Sequence, residues 1–235
     1  MAADAAAPAF AAPMTVAERG TATLVAVSTA LVILFGSLLP FLTPGWLDFE
    51  QGRAQVAAWT GFGDAEVHRA TDAIVTDLLF GGPFDVAVNG APVLDEAERS
   101  HMRDVRAVFQ GFAILALAGL AWLVLTALRA RPPGARARAW LAVRRGASSL
   151  VVLLVVLGVF AVVAFDAAFE VFHEILFPGG NWQFDPRTER LVQLFPEQFW
   201  SETSLAYGGV AIAVALAIGW YAARRAAVAA SGGTP

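Results

Sequence analysis

Four uninterrupted apolar stretches dominate the chain: residues 21–43 (TATLVAVSTALVILFGSLLPFLT), 107–128 (AVFQGFAILALAGLAWLVLTAL), 147–169 (ASSLVVLLVVLGVFAVVAFDAAF) and 204–223 (SLAYGGVAIAVALAIGWYAA). Each is long enough to cross the hydrocarbon core of a bilayer, which takes about 20 residues as a helix. In that solvent every backbone group must be satisfied inside its own segment, so the stretches are expected as helices. The composition agrees, with 57% hydrophobic and only 15% charged residues. The first stretch reads as a span rather than a cleaved signal peptide. Only Arg19 precedes it as a basic residue, it is longer than an ordinary signal-peptide apolar region, and no small-x-small cleavage site follows.

All sixteen basic residues are arginine and there is no cysteine. That excludes lysine Schiff-base chemistry, thiolate nucleophiles, disulfides and cysteine-held metals. Six arginines and no acid lie between Arg129 and Arg145, and Arg224 and Arg225 follow the last stretch. Residues 44–104 are acid-rich instead. Arginine bias therefore predicts that both termini and the 129–145 loop are cytoplasmic. The expected fold class is an all-α membrane protein, a four-helix transmembrane bundle with a small, mainly helical extracytoplasmic cap. The expected organisation is a disordered cytoplasmic tail at 1–20, a membrane domain over 21–223 with cap 44–106 and outer loop 170–203, and a cytoplasmic tail at 224–235.

Within the cap, residues 64–80 repeat Val67, Ala70, Ile74 and Leu78 at helical spacing. His68 lies on the other stripe between Asp64 and Asp72, which reads as a solvated face with favourable local pairs before it reads as a metal site. Asn89-Gly90 suggests a short hairpin. Asp95 with Glu98 three residues later forms a capping-box start for a helix that runs unbroken into the second span.

Two histidines stand where outer segments meet spans. His101 shares a stripe with Val105, Val108 and Phe112, so it points into the bundle, whereas Arg99, Arg103 and Arg106 form a stripe suited to lipid phosphates. His173 falls on one helical face with Asp166, Glu170 and Phe177, and Glu174 follows it directly. Asp166 still lies inside the apolar run, where an ionisable group needs a partner. A carboxylate near an imidazole fixes its tautomer and stabilises its cation. Spans two and three are joined by a short loop and are expected as antiparallel neighbours, which would bring both histidines to one depth. Asp185-Pro186 suggests a short helix start, and the aromatics Trp182, Phe184, Phe195, Phe199 and Trp200 suggest anchoring at the membrane interface.

The motif FHEILFPGGNWQFDPRTERLVQLFPEQFW (residues 172–200), together with SHMRDV (residues 100–105), resembles the integral membrane family that includes bacterial lipoprotein intramolecular transacylase. The resemblance implies four spans, an outer cap and a histidine in each motif. The implied substrate is a lipoprotein whose N-terminal cysteine carries a diacylglyceryl thioether and a free amine. The implied reaction moves the sn-2 acyl chain onto that amine at the outer leaflet and leaves a lyso-form lipoprotein. Because ester and amine belong to one molecule, positioning supplies much of the rate, and a base, an acid and an oxyanion donor complete the requirement.

On that reading His173 is the base, oriented by Asp166 or Glu170, with Glu174 alongside. His101 is the acid or oxyanion donor, with Asp104 at i+3 to orient it. The reverse division and a covalent acyl-histidine relay are alternatives. Arg103, Trp182, Phe184 and Asp185 are the substrate-binding candidates. No cofactor, metal or nucleic acid is expected. The expected partners are the diacylglyceryl lipoprotein N-terminus and membrane lipids. Rival readings are another outer-leaflet lipid-modifying enzyme, either a hydrolase or a metal-dependent one, and a non-enzymatic membrane assembly factor. A serine hydrolase fits poorly, since no G-x-S-x-G is present.

Overall fold

The computed structural model describes residues 14–231. Residues 1–13 and 232–235, parts of the expected tails, lie outside the described residues. Among the described residues, four helices are long and apolar enough to cross a membrane: Val16–Leu42, Glu96–Arg129, Pro133–Val163 and Glu197–Ala230. The first comprises α1 (Val16–Leu38) and a 3-10 turn (Leu39–Leu42) that begins at the helix-breaking Pro40. Residues 16–20 and 224–230, placed in the tails on sequence grounds, are helical. Thr15 and Glu18 form a capping box that starts α1 ahead of the apolar run.

The cap follows as α2 (Pro44–Arg53), α3 (Val56–Thr60), α4 (Asp64–Phe80) and a hairpin of β1 (Ala87–Val88) and β2 (Ala91–Pro92). The hairpin turns on Asn89 (φ 53°) and Gly90 (φ 79°), the pair of left-handed residues that a two-residue turn requires. Ala87 faces Pro92 and Val88 faces Ala91 in antiparallel register. α4 buries Val67, Ala70, Ile74 and Leu78, the stripe read from its sequence. Next come α5 (Glu96–Arg129), α6 (Pro133–Val163), α7 (Phe165–Leu176), α8 (Arg190–Leu194) and α9 (Glu197–Ala230).

Spans two and three are not the close neighbours that their short connection suggests. α1 packs against both α5 and α6 and separates them, and α6 packs along α9. Small residues permit this intercalation. A Cβ on Gly146 would stand 2.2 Å from the carbonyl oxygen of Ala26, and one on Gly119 would stand 3.3 Å from Ser28 Cα. Between membrane helices, where lipid is as apolar as any side chain, such close backbone approach is a main source of association. Ala147 of α6 and Ala211, Ala215 and Ala222 of α9 are buried in the same manner. The valines of α6, among them Val152, Val159 and Val163, face outward, as lipid-facing positions do.

The start of α1, the end of α9 and the α5–α6 turn share one end of the bundle. Arg138 meets Glu18 at 3.3 Å, and Arg225 lies 5.9 Å from the centre of the Trp140 ring. The cap occupies the other end with its own core, built from α4, the loop around Phe84, the outer turn of α5, α8 and the start of α9. Phe195 and Phe199, expected as interfacial anchors, are buried in that core, whereas Trp200 is 41% exposed. Their burial follows from the cap's need for apolar mass beneath α3 and α8.

Glu98 ties the cap to α5. One carboxylate oxygen accepts from Asp95 N at 2.7 Å, which completes the capping box, and the other accepts from Leu191 N at 2.6 Å. Gln51 is a second tie, donating to Thr71 Oγ1 at 2.8 Å and to the Leu194 carbonyl at 3.0 Å.

Candidate active site

The third apolar run does not continue as one helix to His173. α6 ends at Val163, Ala164 takes φ −148° and ψ 63°, and α7 starts again at Phe165. The run ends in consecutive β-branched valines, which hold a helix weakly, and Asp166 in the first turn of α7 favours a new N-terminus. This break lets α7 swing away from α6 and carry His173 to α5, although α1 stands between the two spans. The meeting of the histidines therefore depends on α7, and adjacency of spans two and three has no part in it.

His101 on the outer turn of α5 and His173 on α7 are both buried, with ring centres 6.1 Å apart. Aromatic rings enclose them. Phe177 meets His101 edge-on at 4.9 Å and His173 at 5.5 Å. Phe184 meets His101 at 5.6 Å. Trp182 lies 4.9 Å from His173, and Phe169 lies 4.0 Å from it. The loop FPGGNWQF thus folds back over both imidazoles, turning at Gly180 (φ 71°).

His173 Nδ1 lies 2.7 Å from the Phe169 carbonyl oxygen. A carbonyl can only accept, so Nδ1 carries the proton and Nε2 keeps its lone pair. Burial lowers the His173 pKa below the ordinary 6.5, partly offset by that hydrogen bond. The ring is therefore neutral at neutral pH and basic at Nε2. His101 Nδ1 is buried with no hydrogen-bond partner among the described residues.

The carboxylates expected to orient His173 do not do so. Asp166, Glu170 and Glu174 are exposed, and none bonds the ring, whose orienting partner is the carbonyl one helical turn back. Asp166 is exposed because the helix breaks before it. Asp104 is also exposed and accepts from Asn181 Nδ2 at 2.6 Å, and Asn181 stands within interaction range of the His101 ring.

Arg103 pairs with Glu96 through Nη2 at 2.8 Å and is otherwise exposed. Arg99 and Arg106, expected to hold lipid phosphates, are likewise engaged. Arg99 pairs with Asp85 and Glu96, and Arg106 donates to the Gly82 carbonyl at 2.6 Å over the face of Phe84. Asp185 does not cap α8. It accepts from the backbone and guanidinium of Arg187, which hold its carboxyl down at about 2, and α8 begins five residues later. Of the four binding candidates, Trp182 packs on His173 and Phe184 on His101, whereas Arg103 pairs with Glu96 and Asp185 with Arg187.

Sequence reading missed Phe169, Phe177 and Asn181 as site residues. Phe177 shares the His173 stripe and Asn181 sits in the turn motif, so both carried a signal. The Phe169 carbonyl, a backbone atom, carried none. His68 meets Asp48 at 3.5 Å, and no group of three or more metal-ligating side chains occurs among the described residues.

These features define a multi-pass membrane protein with paired buried imidazoles under an aromatic cover at the cap end of its bundle. Comparison with known proteins makes the assignment specific. The model of the family "Lipoprotein intramolecular transacylase Lit" matches residues 23–200, and the chain belongs to that family. Among solved structures, the membrane-integral lipoprotein intramolecular transacylase Lit from Bacillus cereus superposes with a TM-score of 0.71 at 18% identity, over 90% of this chain and 96% of that one. Two variants of the Bacillus protein also match. One has a histidine replaced by arginine (TM-score 0.63, 18% identity, 92% and 95% coverage) and the other has it replaced by alanine (0.59, 19%, 88% and 92%). At these identities the superpositions establish the shared fold. No curated protein sequence matches the chain.

Proposed function

We propose that the protein moves the sn-2 acyl chain of a diacylglyceryl lipoprotein to the amine of its N-terminal cysteine, with His173 as base and His101 as proton donor. Membership of the transacylase family makes the chain a membrane-embedded acyltransferase. The observation that carries the residue assignment is the 6.1 Å approach of two buried imidazoles from separate helices.

In the reaction the amine nitrogen forms a bond to the ester carbonyl carbon, and the bond from that carbon to the glycerol oxygen breaks. His173 Nε2 has its lone pair free, because Nδ1 is spent on Phe169, so it takes the proton from the amine. The unpartnered Nδ1 of His101 favours the tautomer with the proton on Nε2, since a buried orphan donor costs more than an under-used acceptor. That N–H stabilises the oxyanion and passes its proton to the departing glycerol oxygen, and the imidazolium of His173, its ring centre 6.1 Å away, returns the proton taken from the amine to His101, so both rings end neutral. Holding amine and ester together supplies the remaining rate through effective molarity. The aromatic cover excludes water, which would otherwise compete with the amine for the ester carbon.

Arginine placement supports an orientation with the termini and the α5–α6 turn in the cytoplasm and the cap outside. The substrate then reaches the cleft from the outer leaflet. The test is mass spectrometry of lipoproteins from cells that express the chain. Lyso-form lipoprotein with an N-acylated cysteine is the expected product, and unchanged diacylglyceryl cysteine with a free amine refutes the reading.

A further inference from the structure

At the end of the bundle opposite the cap, a groove of about 490 Å³ lies between α1 and α6, within the size range of small-ligand sites. Arg19 and Arg145 line its mouth. Both are exposed, and neither guanidinium has an ion-pair or hydrogen-bond partner among the described residues. One helical turn deeper stand two hydroxyls, Thr23 and Ser149, four residues on from each arginine. Deeper still the walls are apolar, with Ala26, Ala30 and Leu34 on α1 and Leu150 and Leu153 on α6. No carboxylate lines the groove. A second cavity at the same end, about 360 Å³ between α1, α5 and α6, differs in this respect, because Glu18 lines it and pairs with Arg138 at 3.3 Å. The α1–α6 groove therefore combines two uncompensated cations at the membrane edge with an apolar wall that runs into the bilayer.

We infer that this groove binds an anionic glycerophospholipid of the leaflet opposite the cap, with its phosphate between Arg19 and Arg145 and one acyl chain along α1. The site is separate from the histidine cleft and does not depend on the proposed transacylation. Guanidinium forks match phosphate oxygens in geometry as well as charge, and the two hydroxyls add donors just below them. The arginine stems run along apolar surface while their heads stay at the interface. The length of the wall identifies a lipid rather than a free anion. From Thr23 to Leu34 α1 rises about 16 Å, against about 15 Å for the hydrocarbon of one leaflet. Val27 and Leu153 are each 51% exposed at the groove's edges, so a chain enters sideways from the bilayer. Two cations and no acid favour a lipid of net negative charge over a zwitterion, whose ammonium would meet the same arginines.

The test uses the full purified chain in detergent micelles with phosphatidylglycerol that carries a photoreactive group on one acyl chain, and mass spectrometry of the labelled peptides. Label should fall on residues 22–34 and 149–153. An arginine beside a lipid phosphate is worth about 1 kcal/mol, which is roughly fivefold in affinity. Arg19→Gln and Arg145→Gln should each lower the labelling about fivefold, and the double variant about 30-fold, with gel filtration unchanged. Photoreactive diacylglycerol with the same chains should label wild type on the order of 30-fold less than phosphatidylglycerol does. Ser149→Trp, at an exposed position in the groove, should block the label and leave both arginines in place. Phosphatidylglycerol should also raise the thermal midpoint of wild type and not that of the double variant. Equal labelling by the two lipids, labelling that the variants do not change, or label spread over the outward valines of α6 such as Val159 and Val163 shows annular contact only and overturns the inference. If label appears only after residues 2–13 are deleted, the chain's own N-terminal segment is the occupant and the inference falls.

Discussion

The backbone carbonyl of Phe169 receives the Nδ1 proton of His173 at 2.7 Å, so the main chain of α7, and no carboxylate, fixes the tautomer of the proposed base. Loss of Asp166 or Glu170 should consequently be mild. Asp166→Asn and Glu170→Gln are expected to keep turnover within about tenfold of wild type, because an orienting carboxylate that is absent cannot be removed. His173→Gln and His101→Gln should each lower turnover by about 10²–10⁴-fold while the protein still inserts and elutes as a folded species. Mass spectrometry of product with gel filtration of each variant separates the two outcomes.

Burial of His173 lowers its pKa below 6.5, which has a consequence for pH dependence. The folded protein holds this ring neutral at pH values where the unfolded chain already binds a proton. Stability from this group is therefore complete above pH 6.5 and is lost as pH falls from there through the depressed folded value. Thermal unfolding should show a falling midpoint below pH 6.5, with a flatter profile in His173→Gln. The acid limb of turnover should lie below pH 6.5, because the base stays unprotonated further into acid.

Much of this arrangement was legible in the sequence, and the parts that were not have two causes. The four spans, the Asp95–Glu98 capping box, the Asn89-Gly90 turn and the α4 stripe are local features, set by periodicity, caps and turn residues. The choice of His101 and His173 came from their positions at span ends. The order of the helices was not legible, because the insertion of α1 between α5 and α6 depends on Gly119 and Gly146 meeting backbone far away in sequence. The expected carboxylate–histidine contacts failed for a different reason. Asp166, Glu170 and His173 all lie in the unbroken α7, but the Phe169 carbonyl one turn back takes the His173 Nδ1 proton, and a backbone acceptor leaves no mark in the sequence.

Glu98 links two segments that the cleft needs, α5 beneath His101 and the chain entering α8 after Phe184. Glu98→Ala keeps the Asp95 side-chain cap, which holds the backbone N–H of residue 98, but removes the acceptor of Asp95 N and leaves the Leu191 N–H buried without an acceptor. The expected cost is about 1–3 kcal/mol, chiefly from the orphaned Leu191 donor. Glu98→Gln keeps an acceptor for one of the two bonds and should cost less. Thermal unfolding in detergent checks the order, and equal midpoints for Ala and Gln would sink the account.

The absence of native cysteine makes the proposed topology directly testable. A single cysteine at Ala91 in the cap hairpin should react with a membrane-impermeant thiol reagent added to intact spheroplasts. One at Gly134 in the α5–α6 turn should react only after lysis. The reverse pattern would place the histidine cleft on the cytoplasmic side and end the outer-leaflet mechanism.

The crossing of α1 over α6 leaves no space at Gly146, where an added Cβ would lie 2.2 Å from the Ala26 carbonyl oxygen. That oxygen belongs to a helix backbone and cannot rotate away, so Gly146→Ala must push the helices apart. The cost of such overpacking is about 1–3 kcal/mol. Gly119→Ala meets Ser28 at 3.3 Å and asks for a shift of only a few tenths of an ångström, so its effect should be smaller. Because α6 leads directly into α7, displacement of α6 at Gly146 should also move His173 relative to His101. Gly146→Ala is therefore expected to lose turnover at temperatures where it remains folded, whereas Gly119→Ala should lose little. Detergent melting curves measured alongside lipopeptide turnover distinguish a bundle that merely loosens from one that misaligns its histidines.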